Sequence, residues 1–199
     1  MPSANSLTQE DLGSAAQRDR RRRILDATIT LASKGGFDAV QMRAVAEEAD
    51  VALGTLYRYF PSKIHLLVSA LGREFERTQG ALERRPLEGD TPADRVVNLL
   101  ERNTRGMQRD PHLTEALTRA FMFADSSVLS EIEVAGMYLT SMLTRAMKGD
   151  DVDPTADDVA IARVIGDVWM ANLVAWVTGR ASAADVSRSM DVAVRLILR

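Results

Sequence analysis

Apolar side chains recur at intervals of three and four residues along nearly the whole of this 199-residue chain. This spacing places them on one face of an α-helix, whereas no stretch shows the two-residue alternation of a half-buried β-strand. The sequence therefore predicts an all-α protein. With 46% apolar and 27% charged residues, the chain has the composition of an ordinary globular protein, so we expect the helices to pack around a common core.

Turn-forming residues divide this pattern into separate helices. The pair Gly35 and Gly36 predicts the end of a first helix, because glycine readily adopts the left-handed conformation that stops one. Pro61 disfavours the α conformation at the residue before it and predicts the end of a short helix. The helices after the first are predicted at 42–49, 53–60, 63–85, 92–108, 112–123, 125–148, 154–178 and 183–198.

Two capping patterns locate the last two helices. Asp153 followed by Pro154 is typical of an N-cap with proline at the first helical position. Ser182 with Asp185 three residues later has the spacing of a capping box. We therefore expect these helices to begin just after Asp153 and Ser182.

Two short helices separated by only three residues predict a DNA-binding helix-turn-helix. The second helix of such a motif lies in the major groove and presents its first residues to the base edges. Ala52, Gly54 and Thr55 are small enough to allow that close approach, and the methyl group of Thr55 can meet a thymine.

Aromatic residues are concentrated in the same segment, since residues 54–63 hold three of the ten Phe, Trp and Tyr side chains. Tyr57 and Tyr59 carry hydroxyls at the ends of rigid rings, a reach suited to phosphate oxygens. Phe60 points into the core of the small domain. Lys63 adds a positive charge at the start of the next helix, where backbone N–H groups also bind anions.

The formal net charge of −3 is unevenly distributed. Residues 18–63 contain nine Lys or Arg against six Asp or Glu, whereas residues 66–199 contain sixteen against twenty. A run of arginines near the front of the chain is either an arm that seeks phosphates or the solvated start of a helix. These arginines are Arg18, Arg20, Arg21, Arg22 and Arg23.

The segment AVQMRAVAEEADVALGTLYRYFPSKIHLL at 39–67 resembles the DNA-binding signature of the TetR family. That signature ends in Gly-Thr-Leu-Tyr, an aromatic or His residue, Phe, and Ser or Asn before Lys. Gln41, Asp50 and Ala52 depart from the usual Thr, Gly and Ser. The resemblance implies the following DNA-binding residues: Arg18, Arg20, Arg21, Arg22, Arg23, Gln41, Arg43, Ala52, Leu53, Gly54, Thr55, Tyr57, Arg58, Tyr59 and Lys63.

The same resemblance implies a three-part organisation. Residues 1–17 are expected to form a disordered arm, 18–65 the helix-turn-helix domain and 66–199 an effector-binding and dimerisation domain. The helix that begins at Lys63 would connect DNA-binding domain and pocket, and so transmit the response. The last two helices carry apolar residues on more than one side, which favours a homodimer on palindromic operator DNA.

The larger domain is rich in methionine and aromatic side chains, which line ligand pockets but more often form ordinary core. The predicted ligand-binding residues are Leu71, Phe75, Met107, Phe121, Met122, Phe123, Met137, Tyr138, Met142, Trp169, Met170, Leu173 and Trp176. A narrower resemblance, to repressors of sterol-degradation genes, implies that the effector is a steroid or its acyl-CoA thioester. The candidates for binding its anionic end are Arg77, Arg102, Arg105 and Arg109.

Other classes of protein have little support in the sequence. The chain contains no cysteine, its two histidines lie far apart, and it has no phosphate-binding or nucleophile motif. We therefore expect no metal, no cofactor, no enzyme activity, no signal peptide and no membrane-spanning segment, and a cytoplasmic location. Two alternatives stay open: a repressor of an efflux or fatty-acid operon that responds to an amphiphilic drug or fatty acyl-CoA, and a helical enzyme or carrier.

Overall fold

The computed structural model describes residues 9–84, 87–149 and 152–199. Across these ranges the chain is helical and has no β-strand, which confirms the predicted all-α class. A 3-10 turn, Ser126–Val128, precedes the seventh helix. The helices are α1 Gln9–Ala39, α2 Met42–Glu48, α3 Leu53–Tyr59, α4 Lys63–Arg84, α5 Pro92–Gln108, α6 Pro111–Met122, α7 Leu129–Lys148, α8 Ala156–Val177 and α9 Ala183–Ile197.

Helix α1 begins earlier than the sequence predicts. The arm expected at 1–17 is helical from Gln9 onward, while residues 1–8 lie outside the described residues. Ala15 and Ala16 lie in this earlier part of the helix, and alanine is the strongest helix former.

The regular part of α1 stops at the predicted glycine pair. Gly35 and Gly36 have non-helical backbone angles, and Gly36 has a φ of 68°. A side chain at Gly36 would be strained and would also place a Cβ 2.6 Å from Oε2 of Glu115. The turn therefore requires glycine, and it brings the following residues against α6.

Capping residues explain most helix starts. Ser182 and Asp185 form the predicted capping box at α9. At α8 the N-cap is Thr155 and not Asp153, because Thr155 and Asp158 hydrogen-bond reciprocally and fix the start after the proline. The predicted end of α4 at residue 85 and residues 150–151 of the predicted loop before α8 lie outside the described residues.

The larger domain packs around a buried tryptophan. Trp169 of α8 is 0% exposed, and its ring centroid lies 6.2 Å from that of Phe75 on α4. Helix α4 packs against α6 and α7, and α5 packs against α7 and α9. Helix α6 also contacts α1, so that the two halves of the molecule meet along α6 as well as through α4.

Helix α8 has the length and hydropathy of a membrane span by composition alone, although the sequence analysis predicts none. One face of the helix lies in the core through Ile165, Trp169 and Leu173, each 0% exposed. Asp167 and Arg163 occupy its exposed side. Packing of a central bundle helix thus accounts for its buried apolar residues.

The carboxylates of two capping boxes make the folding stability of the protein depend on pH. Hydrogen bonds lower the pKa of Asp158 below its usual 3.8, and the bond from the Thr155 backbone N–H has the largest effect. The pKa of Asp185 is lowered in the same way, chiefly by the hydrogen bond from the Ser182 hydroxyl. A carboxyl group whose pKa is lower in the folded than in the unfolded state stabilises the protein at pH values above its unfolded-state pKa. This stabilisation is lost as the pH falls through the folded-state pKa.

We predict that the double variant Asp158→Asn/Asp185→Asn loses less stability than the unmodified protein between pH 5 and about pH 3. Asparagine still accepts the capping bonds but does not titrate. Urea unfolding midpoints at each pH measure the difference, and parallel curves for the two proteins would contradict the prediction.

Candidate functional site

The start of α3 leaves space for another molecule. Gly54 is exposed, and a Cβ built on it would meet no atom within 4 Å. Glycine in a helix costs up to about 1 kcal/mol relative to alanine. The protein's own packing therefore does not demand this glycine, and the open space beside it leaves room for a partner to approach closely.

The two faces of α3 separate as the sequence predicts. Leu56 and Phe60 are 0% and 2% exposed and lie in the core, whereas Tyr57 is 47% exposed. Thr55 and Tyr59 are partly exposed. The helix therefore presents small and hydroxyl-bearing side chains outward.

The structure shows how the three departures from the TetR pattern fit into the fold. Asp50 adopts the left-handed conformation with a φ of 50°, which a glycine would otherwise supply. Ala52 begins α3 without a side-chain cap. Gln41 likewise makes no cap to α2, and its Nε2 donates to the Asp38 carbonyl at 2.9 Å.

The arginines of α1 have different surroundings. Arg23 donates to the carbonyl of Ala49 at 2.7 Å and so ties α1 to the turn between α2 and α3. Part of the Arg23 guanidinium is thus engaged within the fold, and its predicted role in a phosphate-seeking arm stays a prediction. Arg22 forms an ion pair with Asp19, and Arg20 lines a surface groove next to α3.

That groove, of about 420 Å³, lies between α1 and α3. Its other lining residues are Gln17, Arg58 and Tyr59. Of the other predicted DNA-binding residues, Arg43 is exposed, as is Arg58, and Leu53 is partly buried and packs against the core. Basic and aromatic side chains thus border the exposed face of α3.

A cavity of about 450 Å³ lies between α4, α5 and α6, with Trp169 of α8 on its wall. Four of the predicted ligand-binding residues line it: Leu71, Phe75, Met107 and Trp169. Leu113, Thr114 and Leu117 of α6 complete much of the opposite wall.

The structure places the other predicted ligand-binding residues elsewhere. Met122, Phe123 and Met137 are 48%, 63% and 57% exposed, and none of them lines this cavity. Met142 and Leu173 are buried core residues, and the remaining four residues lie at the edge of the core or part-exposed on their helices; these are Phe121, Tyr138, Met170 and Trp176. Periodicity cannot tell which face of a helix borders a void.

Basic residues gather on the cavity wall. Arg77, Arg102 and Arg109 all line it, whereas Arg105, the fourth candidate, is off the wall and pairs with Glu101 at 3.3 Å. Arg109 has no ion pair among the described residues. The cavity wall therefore combines apolar side chains with three arginines and with the carboxylates of Glu74 and Asp110.

Helix α6 connects this cavity to α1. Asp110 lines the cavity, caps α6 by accepting from the Leu113 N–H, and accepts a 2.5 Å hydrogen bond from the Ser33 hydroxyl. One turn further, Glu115 accepts from the Phe37 N–H at 2.7 Å. We call these two bonds the α1–α6 junction.

Phe37 also lies between two cations at the junction. Nζ of Lys63 is 3.9 Å and Cζ of Arg119 is 4.5 Å from its ring centroid. Burial lowers the pKa of Lys63, while Asp38 opposes that shift. Lys63, predicted to contact phosphate, is therefore part of this contact between α1, α4 and α6.

The α1–α6 junction was not predicted from the sequence. Asp110 before Pro111 has the pattern of a helix start and could have been recognised as a cap. The partner of its second carboxylate oxygen, Ser33, lies 77 residues away in sequence. Spacing along one chain carries no signal for such a contact.

Two family models match the chain. Residues 24–70 match the model of bacterial regulatory proteins of the tetR family. Residues 89–197 match the model of the tetracyclin repressor-like C-terminal domain. Together these matches span both the α2–α3 motif and the domain that holds the cavity.

Individual proteins agree with the family models. The chain is 60% identical to the HTH-type transcriptional repressor KstR of Mycolicibacterium smegmatis over 96% of its own length and 93% of the relative's. A TetR transcriptional regulator from Rhodococcus sp. RHA1 superposes with a TM-score of 0.84 at 32% identity, covering 92% of this chain and 97% of that one. Thermus thermophilus FadR, solved in complex with lauroyl-CoA, shares the fold with a TM-score of 0.69 at 19% identity, covering 89% and 93%.

We predict that Gly54→Ala raises the free energy of unfolding by up to about 1 kcal/mol and weakens binding to DNA about tenfold. The added methyl group favours the helix but occupies the space that the partner needs. Urea unfolding and anisotropy on the duplex upstream of its own gene measure the two effects.

The matched control is Gly80→Ala in α4, where an added Cβ also meets no atom within 4 Å. It should stabilise the protein without changing DNA affinity. Equal DNA affinity for both variants would contradict the account of Gly54.

Proposed function

Because this chain belongs to the TetR family and is a transcriptional repressor, we propose that it represses sterol-degradation genes in the cytoplasm until an apolar, anionic effector fills its cavity. The proposed effector is a steroid acyl-CoA thioester. The observation that carries the proposal is a cavity of about 450 Å³ with an apolar wall and three arginines. The 60% identity to a KstR repressor supports the repressor type.

The apolar part of the cavity suits a rigid ring system. Phe75 and Trp169 supply flat aromatic surfaces, and Leu71 and Leu117 supply aliphatic ones. The volume lies within the range of pockets that bury drug-sized ligands. It holds the acyl part of a thioester and leaves the nucleotide part at the edge.

The charged part suits the phosphates of that nucleotide. Arg77 pairs with Glu74 at 2.9 Å, so its charge is partly compensated. Arg109 is exposed and has no ion pair in the described part of the chain. An uncompensated arginine at a cavity edge attracts an anionic group and leaves the apolar end to enter first.

DNA recognition is proposed for the exposed face of α3. Thr55 would meet base edges near the start of the helix, and Tyr57, with its exposed hydroxyl, would contact phosphate. The backbone N–H groups at the start of α4 would add a phosphate contact. This division of roles follows from which side chains point away from the core.

Two copies are proposed to pair through α8 and α9. Val164 of α8 and Val192 and Leu196 of α9 are 50%, 59% and 54% exposed although they are apolar. A four-helix bundle of both copies would cover them and set the spacing of two α3 helices on a palindromic operator.

Effector and DNA are proposed to compete through the α1–α6 junction. An effector against Asp110 would shift α6 and the Ser33 bond together. The ligand then favours a dimer conformation in which the spacing of the two α3 helices does not match the operator. DNA affinity falls in proportion to how much more tightly the ligand binds this conformation than the DNA-binding one.

We predict that Arg109→Glu raises the concentration of a steroid acyl-CoA needed to release DNA by about tenfold or more. The response to the steroid acid without CoA should change far less. The control Arg105→Glu changes a residue of α5, four positions before Arg109, that is off the cavity wall. An unchanged response of the Arg109 variant would overturn the proposed orientation, and DNA release by fatty acyl-CoA alone would favour a fatty-acid operon.

We predict that Val164→Asp converts the dimer to a monomer at micromolar concentration and abolishes operator binding, because the charge would be buried in the pairing surface. Sedimentation measures the mass. Val134→Asp is the control, because this valine has a similar exposure of 47% but lies on α7, outside the proposed pairing surface. It lies beside Gly72 of α4. A dimeric Val164 variant would contradict the pairing through α8.

We predict that Ser33→Ala reduces the ratio of DNA affinities without and with effector by about fivefold. The control Ser141→Ala removes a 2.9 Å bond to Gln79 within the larger domain. It should lower stability to a similar extent but keep the ratio. Equal ratios in all three proteins would show that the junction does not transmit the signal.

A further inference from the structure

Asn103 lies on the cavity wall with its hydrogen-bond donor unused. Its Nδ2 is sealed from solvent and has no partner in the part of the chain that the structure describes. The residue is part-buried and stands on α5 next to Arg102 and one turn before Met107, both of which line the same cavity. Buried amide donors are almost always paired, so this one calls for an explanation.

The hydroxyl and carboxylate side chains of the wall are paired within the protein. The Thr78 hydroxyl donates to the Glu74 carbonyl at 2.8 Å, and the Thr114 hydroxyl donates to the Met107 carbonyl at 2.9 Å. The carboxylate of Asp110 accepts from Ser33 and from the α6 backbone. Asn103 differs from them in having capacity left over for a ligand.

Asn103 shares the cavity wall with apolar and aromatic side chains. Thr104, the next residue, is 3% exposed and accepts the indole N–H of Trp169 at 3.3 Å. Trp169 is itself on the cavity wall. The amide thus shares the cavity wall with an aromatic side chain, a setting in which water competes poorly for a hydrogen bond.

We infer that Asn103 determines effector specificity by donating a hydrogen bond to an oxygen atom on the apolar skeleton of the effector. The inference rests on the proposed function, because it takes the cavity to be the effector site. The expected ligand carries two separate polar features: an anionic end at the arginines and a carbonyl or hydroxyl oxygen within its buried part.

Rotation of the carboxamide about its last torsion turns the donor toward the cavity. That torsion is broad and roughly two-fold in asparagine, so both orientations are accessible. A site built to pair a polar group discriminates strongly against the analogue that lacks it, because the protein group is then left buried and unpaired. An apolar wall of the same shape would accept both ligands alike.

The experiment compares two steroid acyl-CoA thioesters that differ only in a ring ketone, on the unmodified protein and on Asn103→Leu. Leucine has a similar volume and no polar atom. DNA release is followed by anisotropy. The ketone should lower the effective concentration about tenfold for the unmodified protein, and this preference should vanish in the variant while its affinity for DNA without ligand stays the same.

A second readout separates this role from a structural one. Removing an unpaired buried donor should raise the melting temperature of the ligand-free protein by about 2–4 °C. The control Asn98→Leu changes a part-buried residue of α5 that is off the cavity wall, and it should keep the ketone preference.

A variant that keeps the ketone preference would overturn the inference and leave the proposed function intact. The same holds if the unmodified protein responds equally to both thioesters. If neither thioester releases DNA from the unmodified protein, the proposed effector class fails and the inference falls with it.

Discussion

The bond from the Ser33 hydroxyl to Asp110 joins the two halves of this repressor at the point where its cavity begins. The same carboxylate caps α6 and belongs to a residue of the cavity wall, so a change in its position breaks the cap of that helix. Glu115 adds a second bond from α6 to the turn after the glycine pair. Coupling between the proposed ligand and DNA sites needs a physical connection between them. Helix α6 borders the cavity and contacts α1, which Arg23 in turn ties to the turn before α3.

Several residues are better explained by a partner than by the fold. A helix would be more stable with alanine than with Gly54, and a cavity wall would be more stable without the unpaired amide of Asn103. Val164 leaves an apolar side chain half exposed on α8. These three residues lie at the proposed sites for DNA, effector and second copy, respectively.

The sequence predicted the helices well because caps and turns are local. The glycine pair, the Ser182 box and the two faces of α3 were recognisable from a few neighbouring residues. The cavity was only partly predictable: Phe75 and Trp169 line it, but Phe123 and Met137 are exposed. Whether an apolar residue borders a void depends on how separate helices pack, and one sequence contains no direct record of that. The domain boundaries and the DNA contacts remain predictions.

The most direct test of the account is fluorescence anisotropy of the protein on labelled DNA from upstream of its own gene. A steroid acyl-CoA, a straight-chain acyl-CoA and free CoA are titrated into the complex. The account predicts that the steroid thioester alone releases the DNA at low concentration, because it fills the apolar cavity and reaches the arginines. Persistent binding with all three ligands, or release by free CoA, would contradict it.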